Sequence, residues 1–254
     1  MLNSVCNGGI IQARLFIMSN DDRSISKRSS SGEINAFLRK VAETPVVKAA
    51  GQRGRLIFAL DATASRQPTW DRASHLQAQM FTEAAALGGL ELQLCYYQGY
   101  QEFSATPWLS DSQNLLRRMT RVTCMAGTTQ IARVLRHAIS EARKQSIQGL
   151  IFVGDCMEED ADQLYALAGE LRLLNVPLFL FHEGRDAVAE QVFRHMADLS
   201  GGACCPFDVN SAGQLRDLLR AVAVYAAGGR KALQQFGQKT GADVLRLVHQ
   251  LDRK

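Results

Sequence analysis

The sequence lacks the features by which membrane proteins, disulfide-rich proteins and several enzyme classes are recognised. It has no apolar run long enough for a membrane helix, since residues 9–18 are interrupted by Gln12 and Arg14 and no basic signal-peptide segment precedes them. Its six cysteines form no Cys-x-x-Cys pair and no framework spacing, which predicts a reducing compartment. The phosphate-binding loop of nucleotide-binding proteins and the Gly-x-Ser-x-Gly and His-Glu-x-x-His motifs of hydrolases are also missing. We therefore predict a cytoplasmic protein.

The basic residues are not clustered as they are in nucleic-acid-binding proteins. The 29 Lys and Arg residues against 25 Asp and Glu residues give a formal net charge of +4. Basic residues outnumber acidic ones near both ends, but no basic run is interleaved with aromatic residues. We expect neither nucleic acid nor a membrane surface as a partner.

The chain does contain a regular alternation of strand-like and helix-like segments. Strand-like apolar runs begin at residues 55, 90, 150, 177 and 203. Helical patterns span residues 33–41, 69–87, 128–144, 160–174, 186–199 and 211–227. Because most strands are separated by helices long enough to cross over a sheet, the pattern predicts an α/β fold with a mostly parallel sheet.

One connection is too short for a crossover helix. Residues 98–101 join two strand-like stretches at 90–97 and 101–106, which predicts an antiparallel hairpin. The sequence therefore predicts a doubly wound sheet of six strands, with one antiparallel edge strand and helices on both faces.

Polar segments flank this domain, which we place at residues 54–227. Residues 1–53 are predicted to be a polar, Ser-rich leader with one short helix, and residues 228–254 an extension of two short helices. Met18 begins a polar stretch that is typical of a bacterial N-terminus, so we expect residues 1–17 to precede the natural start.

Oxygen-bearing side chains follow two of the predicted strands. In LIFALDATASRQPTW, the segment from Leu56 to Trp70, the strand is followed by Asp61, Thr63 and Ser65 at alternate positions. Asp155 follows the strand LIFVG in the same way. Because ligands of open parallel sheets bind outside the carboxyl ends of the strands, we expect these side chains to meet there.

A third loop carries two adjacent threonines. The segment CMAGTTQIARVL places Thr128 and Thr129 at a predicted helix start, where a hydroxyl either caps backbone donors or faces a ligand. Spacing does not decide between the two threonines, and we take Thr128 as the ligand.

These three loops resemble a known metal site. DATAS at residues 61–65 resembles the Asp-x-Ser/Thr-x-Ser signature of von Willebrand factor type A (VWA) domains. Thr128 in a Gly-Thr loop and Asp155 after the fourth strand match the other parts of that family's metal ion-dependent adhesion site (MIDAS), in the same order. The resemblance covers about residues 54–226. It implies a Rossmann-like VWA fold and a divalent cation held by Asp61, Thr63, Ser65, Thr128 and Asp155.

The chemistry of these donors suits Mg²⁺, or Mn²⁺ or Ca²⁺ in its place. Mg²⁺ takes six oxygen ligands at about 2.0–2.1 Å and retains several waters, so it needs few protein ligands. Neutral hydroxyls leave the ion electrophilic, and the resemblance implies that an acidic side chain of a protein partner then replaces a water. It therefore implies a protein-binding module and not an enzyme. Intracellular VWA proteins often serve as adaptors in larger assemblies, including assemblies driven by ATPases or chaperones. The resemblance therefore implies an adaptor role of this kind.

The sequence departs from the family where Gly commonly follows the last acid. Cys156 stands there instead, and a lone thiol among hard oxygen donors argues against zinc. The acidic run from Glu158 to Asp162 either attracts a cation or supplies first-turn charge to the helix that it begins. Ordinary helix chemistry favours the second interpretation.

Other interpretations of these residues compete with the metal site. Asp61 followed by Thr63 is similar to the nucleophile segment of haloacid dehalogenase-type phosphatases, but that family has a second acid at the position of Thr63, or an Asp-x-x-Gly-Thr pattern, and a distant Lys. The chain has no Lys between Lys48 and Lys144. DATAS is also compatible with an ordinary turn that ends a strand. Trp70 and Trp108 either rim the site or cover the core.

Overall fold

The computed structural model describes residues 30–44, 53–67, 90–207, 217–229 and 232. Its elements are α1 (Ser31–Glu43), β1 (Gly54–Asp61), β2 (Leu90–Gln98), β3 (Glu102–Ala105), α2 (Ser112–Met119), α3 (Ile131–Lys144), β4 (Gly149–Gly154), α4 (Ala161–Leu173), β5 (Leu178–Glu183), α5 (Ala187–Ser200), β6 (Ala203–Phe207) and a helical segment, α6, at 217–229.

These strands form one six-stranded sheet in the order β3-β2-β1-β4-β5-β6. Every neighbouring pair is parallel except β2 and β3, which form the antiparallel hairpin at one edge. The predicted fold class is therefore confirmed. The reversal between β2 and β3 uses positive φ angles at Gly99 and Gln101, as a tight turn requires.

The sheet is buried on both faces, which explains the uninterrupted apolar runs of its central strands. Alternate residues of β1 enter different cores: Leu56, Phe58 and Leu60 pack on one face, and Ile57 and Ala59 on the other. The first core is covered by α1, α2 and α6, and the second by α3, α4 and α5.

Helix α1 packs against the far half of the sheet. Its Phe37 ring lies 5.2 Å from the ring of Phe181 and 6.3 Å from that of Phe179, both on β5. A capping box fixes its start, because the Ser30 hydroxyl accepts from the backbone of Glu33 while the Glu33 carboxylate accepts from the backbone of Ser30.

The predicted helices differ in how well their bounds agree with the structure. Helices α4 and α5 begin directly after Asp160 and Asp186, whose carboxylates accept from first-turn backbone N–H groups. The predicted start of α3 at Thr128 is wrong, since the helix begins at Ile131 and the residues before it are not helical. Helix α2 was not among the predicted helical patterns.

Several predictions fall on parts of the chain outside the described residues. They are the helix at 69–87, the start of the helix at 211–227, the two C-terminal helices, most of the leader and Trp70. The division at residues 53 and 227 stays a prediction. Within the described ranges, the helices are all too short or too polar to cross a membrane.

Trp108 lies away from the predicted metal site. Its indole N–H donates to Glu141 in the last turn of α3 at 2.8 Å, and the guanidinium of Arg55 lies 3.7 Å above its ring. Arg55 is the second residue of β1, whereas Asp61 is its last. Trp108 therefore covers the opposite end of the strand, in agreement with the core interpretation.

Candidate metal centre

Asp61 lies at the base of the predicted site. It ends β1 with a fully buried side chain, whose Oδ1 accepts from the backbone N–H of Thr63 at 2.8 Å and from the Thr63 hydroxyl at 2.6 Å. Its Oδ2 accepts from the hydroxyl of Tyr97, on the neighbouring strand β2, at 2.9 Å. A carboxylate oxygen has two lone pairs, so Oδ2 retains one for a further partner.

The two hydroxyls of the DATAS loop lie side by side. Thr63 Oγ1 and Ser65 Oγ are 3.0 Å apart, Thr63 is buried and Ser65 is exposed. Because the single hydroxyl proton of Thr63 is directed at Asp61, Ser65 is the donor in this pair. Both lone pairs of Ser65 Oγ are then available at the surface of the loop.

Asp155 and Cys156 lie next to Asp61, at the end of the adjacent strand. They follow β4, which pairs in parallel with β1. One ligand atom each from Asp61, Asp155 and Cys156 lie within 4.8 Å of one another. Asp155 Oδ1 is buried and has no hydrogen-bond partner. A buried carboxylate oxygen without a partner is costly, and a cation at this position would satisfy it.

The charges at this edge act on each other through the protein interior. Burial raises the pKa of Asp61, while the hydrogen bond from Thr63 and the charge of Arg66 only partly oppose the shift. Burial also raises the pKa of the Cys156 thiol to about 12, and the charges of Asp155 and Asp61 add to this effect. Both shifts arise because negative charge is crowded into a poorly hydrated corner, and a bound cation would reverse them.

Backbone contacts join the third loop to the DATAS loop. Thr63 and Met125 form an isolated parallel bridge, in which the Met125 N–H donates to the Ala62 carbonyl at 3.0 Å. Gly127 allows a close approach to the β2–β3 turn, since a Cβ atom there would lie 1.9 Å from the carbonyl oxygen of Gly99. Thr128 directly follows this contact.

The structure distinguishes the two threonines that spacing could not. Thr129 is buried, its hydroxyl accepts from the Glu158 N–H at 3.0 Å, and its own N–H donates to Glu158 Oε2 at 2.9 Å. The Thr128 side chain is exposed. Thr129 is thus committed to joining two loops, which leaves Thr128 as the candidate ligand.

The acidic run after Asp155 contains a capping residue for α3, a role that differs from both cation attraction and first-turn charge. The Glu159 carboxylate accepts from the N–H groups of Ile131 at 2.6 Å and Ala132 at 2.8 Å, so it caps the start of α3 from another loop. Only Asp160, as N-cap, and Asp162, in the first turn, serve the helix that follows, so the first-turn interpretation is wrong for Glu158 and Glu159.

A buried ion pair, which we name the site brace, lies beneath Asp61. It consists of Arg66 and Glu183, which ends β5, with Arg66 Nε donating to Glu183 Oε2 at 2.9 Å. Arg66 Nη1 also donates to the carbonyls of Asp61 at 2.8 Å and Val153 at 3.4 Å. The brace therefore holds together the ends of β1, β4 and β5. Sequence reasoning missed it, although a Glu at a strand end was a usable signal.

His182 also supports the site without being one of its predicted ligands. Its Nε2 lies 3.1 Å from the carbonyl oxygen of Asp155, to which it donates, and its buried ring packs edge-on against Phe193. His182 positions the backbone of the loop that carries Asp155.

Comparison with known proteins identifies the fold by shape and not by sequence. No family model and no curated protein sequence matches the chain. The mussel byssus protein PTMP1, in a structure with a zinc-occupied MIDAS motif, superposes with a TM-score of 0.56 at 13% identity. The match covers 70% of this chain but only 48% of the mussel protein.

Two isolated domains match over nearly their whole length. The SpRpn10 VWA domain has a TM-score of 0.52 at 15% identity, covering 66% of this chain and 94% of that domain. The vWF domain of the pilus tip protein Mfa5 from Porphyromonas gingivalis has a TM-score of 0.52 at 9% identity, covering 71% and 98%. With the sheet order and the antiparallel edge strand, these matches show that the chain has the von Willebrand factor type A fold.

Proposed function

We propose that this chain is a protein-binding module that depends on a divalent cation. Asp61, Thr63, Ser65, Thr128 and Asp155 would hold the ion, and a carboxylate of a protein partner would complete its coordination. The observation that carries the proposal is the buried Asp155 Oδ1, which has no hydrogen-bond partner and lies beside Asp61. The zinc-occupied MIDAS motif of a protein with the same fold supports it.

The proposed ligands differ in charge between the base and the rim of the site. Asp61 and Asp155 supply negative charge at the base, and Ser65 and Thr128 supply neutral oxygens from exposed positions. A bound cation would supply positive charge that remains uncancelled by the hydroxyls and attracts an acidic side chain. A partner would therefore dock on the loops at the carboxyl edge of the sheet.

The geometry of Asp61 supports a binding role over the phosphatase alternative. A phosphatase nucleophile must reach the phosphorus of its substrate with an unshielded oxygen. The Asp61 side chain is 0% exposed, and both of its oxygens accept hydrogen bonds from Thr63 and Tyr97. These contacts favour a role for Asp61 beneath a bound ion over attack on a substrate.

The finer parts of the proposal rest on the sequence resemblance. They are Mg²⁺ as the ion, a cytoplasmic location and an adaptor role in an assembly driven by an ATPase or chaperone.

Calorimetric titration with Mg²⁺, Mn²⁺ and Zn²⁺ tests the cation site. Asp155→Asn should weaken binding about 10-fold or more, because it removes one of the two negative charges at the base of the site. Thr128→Val and Thr129→Val form a matched pair: we expect the first to weaken binding at unchanged stability, and the second to lower the free energy of unfolding. Unchanged affinity in both Asp155→Asn and Thr128→Val would refute the site.

A pull-down with and without chelator tests the partner. We expect the chelator and Ser65→Ala to remove the same protein, since both act on the cation at the rim. A second pull-down with Ser140→Ala, an exposed serine on α3, controls for loss of a surface hydroxyl. Identical partners under all four conditions would show that binding does not need the ion.

A further inference from the structure

We infer that Cys156 is an additional ligand of this site and makes it select thiophilic divalent ions, such as Zn²⁺, Co²⁺ and Cd²⁺, over Mg²⁺. The inference rests on the proposed function but replaces Mg²⁺, the ion that the sequence resemblance implies, with one class of thiophilic cation. It also revises the sequence prediction, in which a lone thiol among oxygen donors argued against zinc.

The first support is the spacing of the three ligand atoms. The Sγ of Cys156 and one carboxylate oxygen each of Asp61 and Asp155 are at most 4.8 Å apart. In a tetrahedral zinc site, with bonds of about 2.3 Å to sulfur and about 2.0–2.2 Å to oxygen, the ligand atoms are about 3.3–3.7 Å apart. Side-chain rotations that move these atoms by about 1 Å would therefore bring all three into one coordination shell.

The second support is a carboxylate oxygen of the residue that precedes the cysteine. Asp155 Oδ1 is buried and has no hydrogen-bond partner, although the neighbouring Asp61 has three donors to its oxygens. Natural proteins rarely leave such an atom unsatisfied, so it points to a ligand at this corner. Cys156 is only half-buried, which leaves the corner open to an ion from solvent.

The other described cysteines have no comparable surroundings. Within the described ranges, Cys156 is the cysteine that lies in a cluster of possible metal ligands. Cys95 is fully buried in the second core, and Cys204 is half-buried on β6, at the far edge of the sheet. Cys204 is therefore a suitable control for the chemistry of a thiol elsewhere on the same protein.

The chemistry of the donor set explains the selectivity. Mg²⁺ prefers oxygen ligands and retains its waters, whereas Zn²⁺, Co²⁺ and Cd²⁺ gain affinity from a thiolate. When the sulfur–metal bond forms, the thiol proton passes to the buffer and the sulfur donates a lone pair to the ion, with no change in oxidation state. Serine at this position would replace the sulfur with an oxygen on a side chain of similar size, so the site would lose this preference.

Spectroscopy with Co²⁺, combined with calorimetry, tests the inference. The wild-type chain should show a thiolate-to-cobalt charge-transfer band, and Cys156→Ser should abolish it. Cys156→Ser should also weaken Zn²⁺ binding about 10-fold or more while changing Mg²⁺ binding less than about twofold. Cys204→Ser should behave as the wild type, and thermal unfolding without metal should show that both variants fold.

The outcomes separate this inference from the proposed function. A charge-transfer band that persists in Cys156→Ser, or an unchanged ratio of Zn²⁺ to Mg²⁺ affinity, would overturn the cysteine ligand and leave the oxygen site intact. A wild-type chain that binds none of these ions would overturn both. A lost band with retained Mg²⁺ binding is the result that supports the inference.

Discussion

The carboxyl edge of the sheet and the outer helical surface contain similar ion pairs in opposite environments. In the site brace, Arg66 Nη2 and Glu183 Oε2 are 2.9 Å apart, and the side chains are 0% and 7% exposed. On the helices, Arg194 of α5 lies 2.9 Å from Glu190 and 3.1 Å from Glu33 of α1, and is itself 41% exposed. Equal distances therefore do not indicate equal importance.

Buried and exposed ion pairs differ in whether water can solvate the charge that remains when its partner is removed. A surface charge that loses its partner is solvated at once, so exposed pairs contribute little. A buried charge that loses its partner has no such compensation. The carboxyl edge is therefore the region in which single substitutions should damage both stability and the geometry of the proposed cation site.

The largest effect is expected for Arg66→Met. This change leaves the Glu183 carboxylate buried without its partner and frees the carbonyls of Asp61 and Val153, so the free energy of unfolding should fall by about 3–5 kcal/mol. Urea denaturation measures it. The double variant Arg66→Met/Glu183→Gln should recover part of the loss, and a single-variant loss below about 1 kcal/mol would contradict the importance of burial.

A smaller effect is expected for Gly127→Ala. Its Cβ would meet the Gly99 carbonyl oxygen at 1.9 Å, so the loop must shift, with a loss of about 1–3 kcal/mol and weaker cation binding. Gly169→Ala on α4 is the matched control, because no atom lies within 4 Å of its added Cβ. That control should stabilise the protein by about 0.5–1 kcal/mol in thermal or urea unfolding. Equal effects at the two glycines would remove the distinction between the regions.

Glu159→Gln should have a more modest effect. The amide oxygen can still accept one of the two hydrogen bonds from the start of α3, but the negative charge at the positive end of the helix is lost. We expect a decrease of about 0.5–1 kcal/mol in urea unfolding, reduced at high salt. A loss that does not depend on salt would show that the charge of Glu159 has no part in capping.

The smallest effect is expected for Arg194→Gln. Its partners Glu33 and Glu190 become solvated when the guanidinium is removed, so the loss in urea unfolding should lie within about 0–1 kcal/mol. Cation binding should not change, since the pair joins α1 to α5 and not the site loops. A loss approaching that of Arg66→Met would abolish the comparison.

The sequence predicted the parts of the fold that depend on local pattern. Apolar runs gave the strands, the short link at residues 98–101 gave the antiparallel edge, and strand ends gave the positions of Asp61 and Asp155. These predictions succeeded because a central parallel strand must be apolar on both faces, so its end is visible as the first polar residue. The ligand roles of these residues stay predictions.

Contacts between distant loops were beyond such reasoning. Arg66 donates a hydrogen bond to Glu183, which is 117 positions away in the sequence, and Thr129 donates one to Glu158, which is 29 positions away. The start of α3 was misplaced for the same reason, because its cap is the carboxylate of Glu159 and not a neighbouring residue. A pattern search finds which residues are polar, whereas the fold decides which of them meet.

The hydrogen bond between Tyr97 and Asp61 gives the protein a natural optical reporter. The Tyr97 phenol is buried and directed at the carboxylate that forms the base of the site, so its ultraviolet absorption depends on the charge nearby. Binding of an ion should be visible as an ultraviolet difference spectrum of the unlabelled protein. Tyr97→Phe should remove that signal, so ion binding at the proposed site can be followed without a dye or a partner.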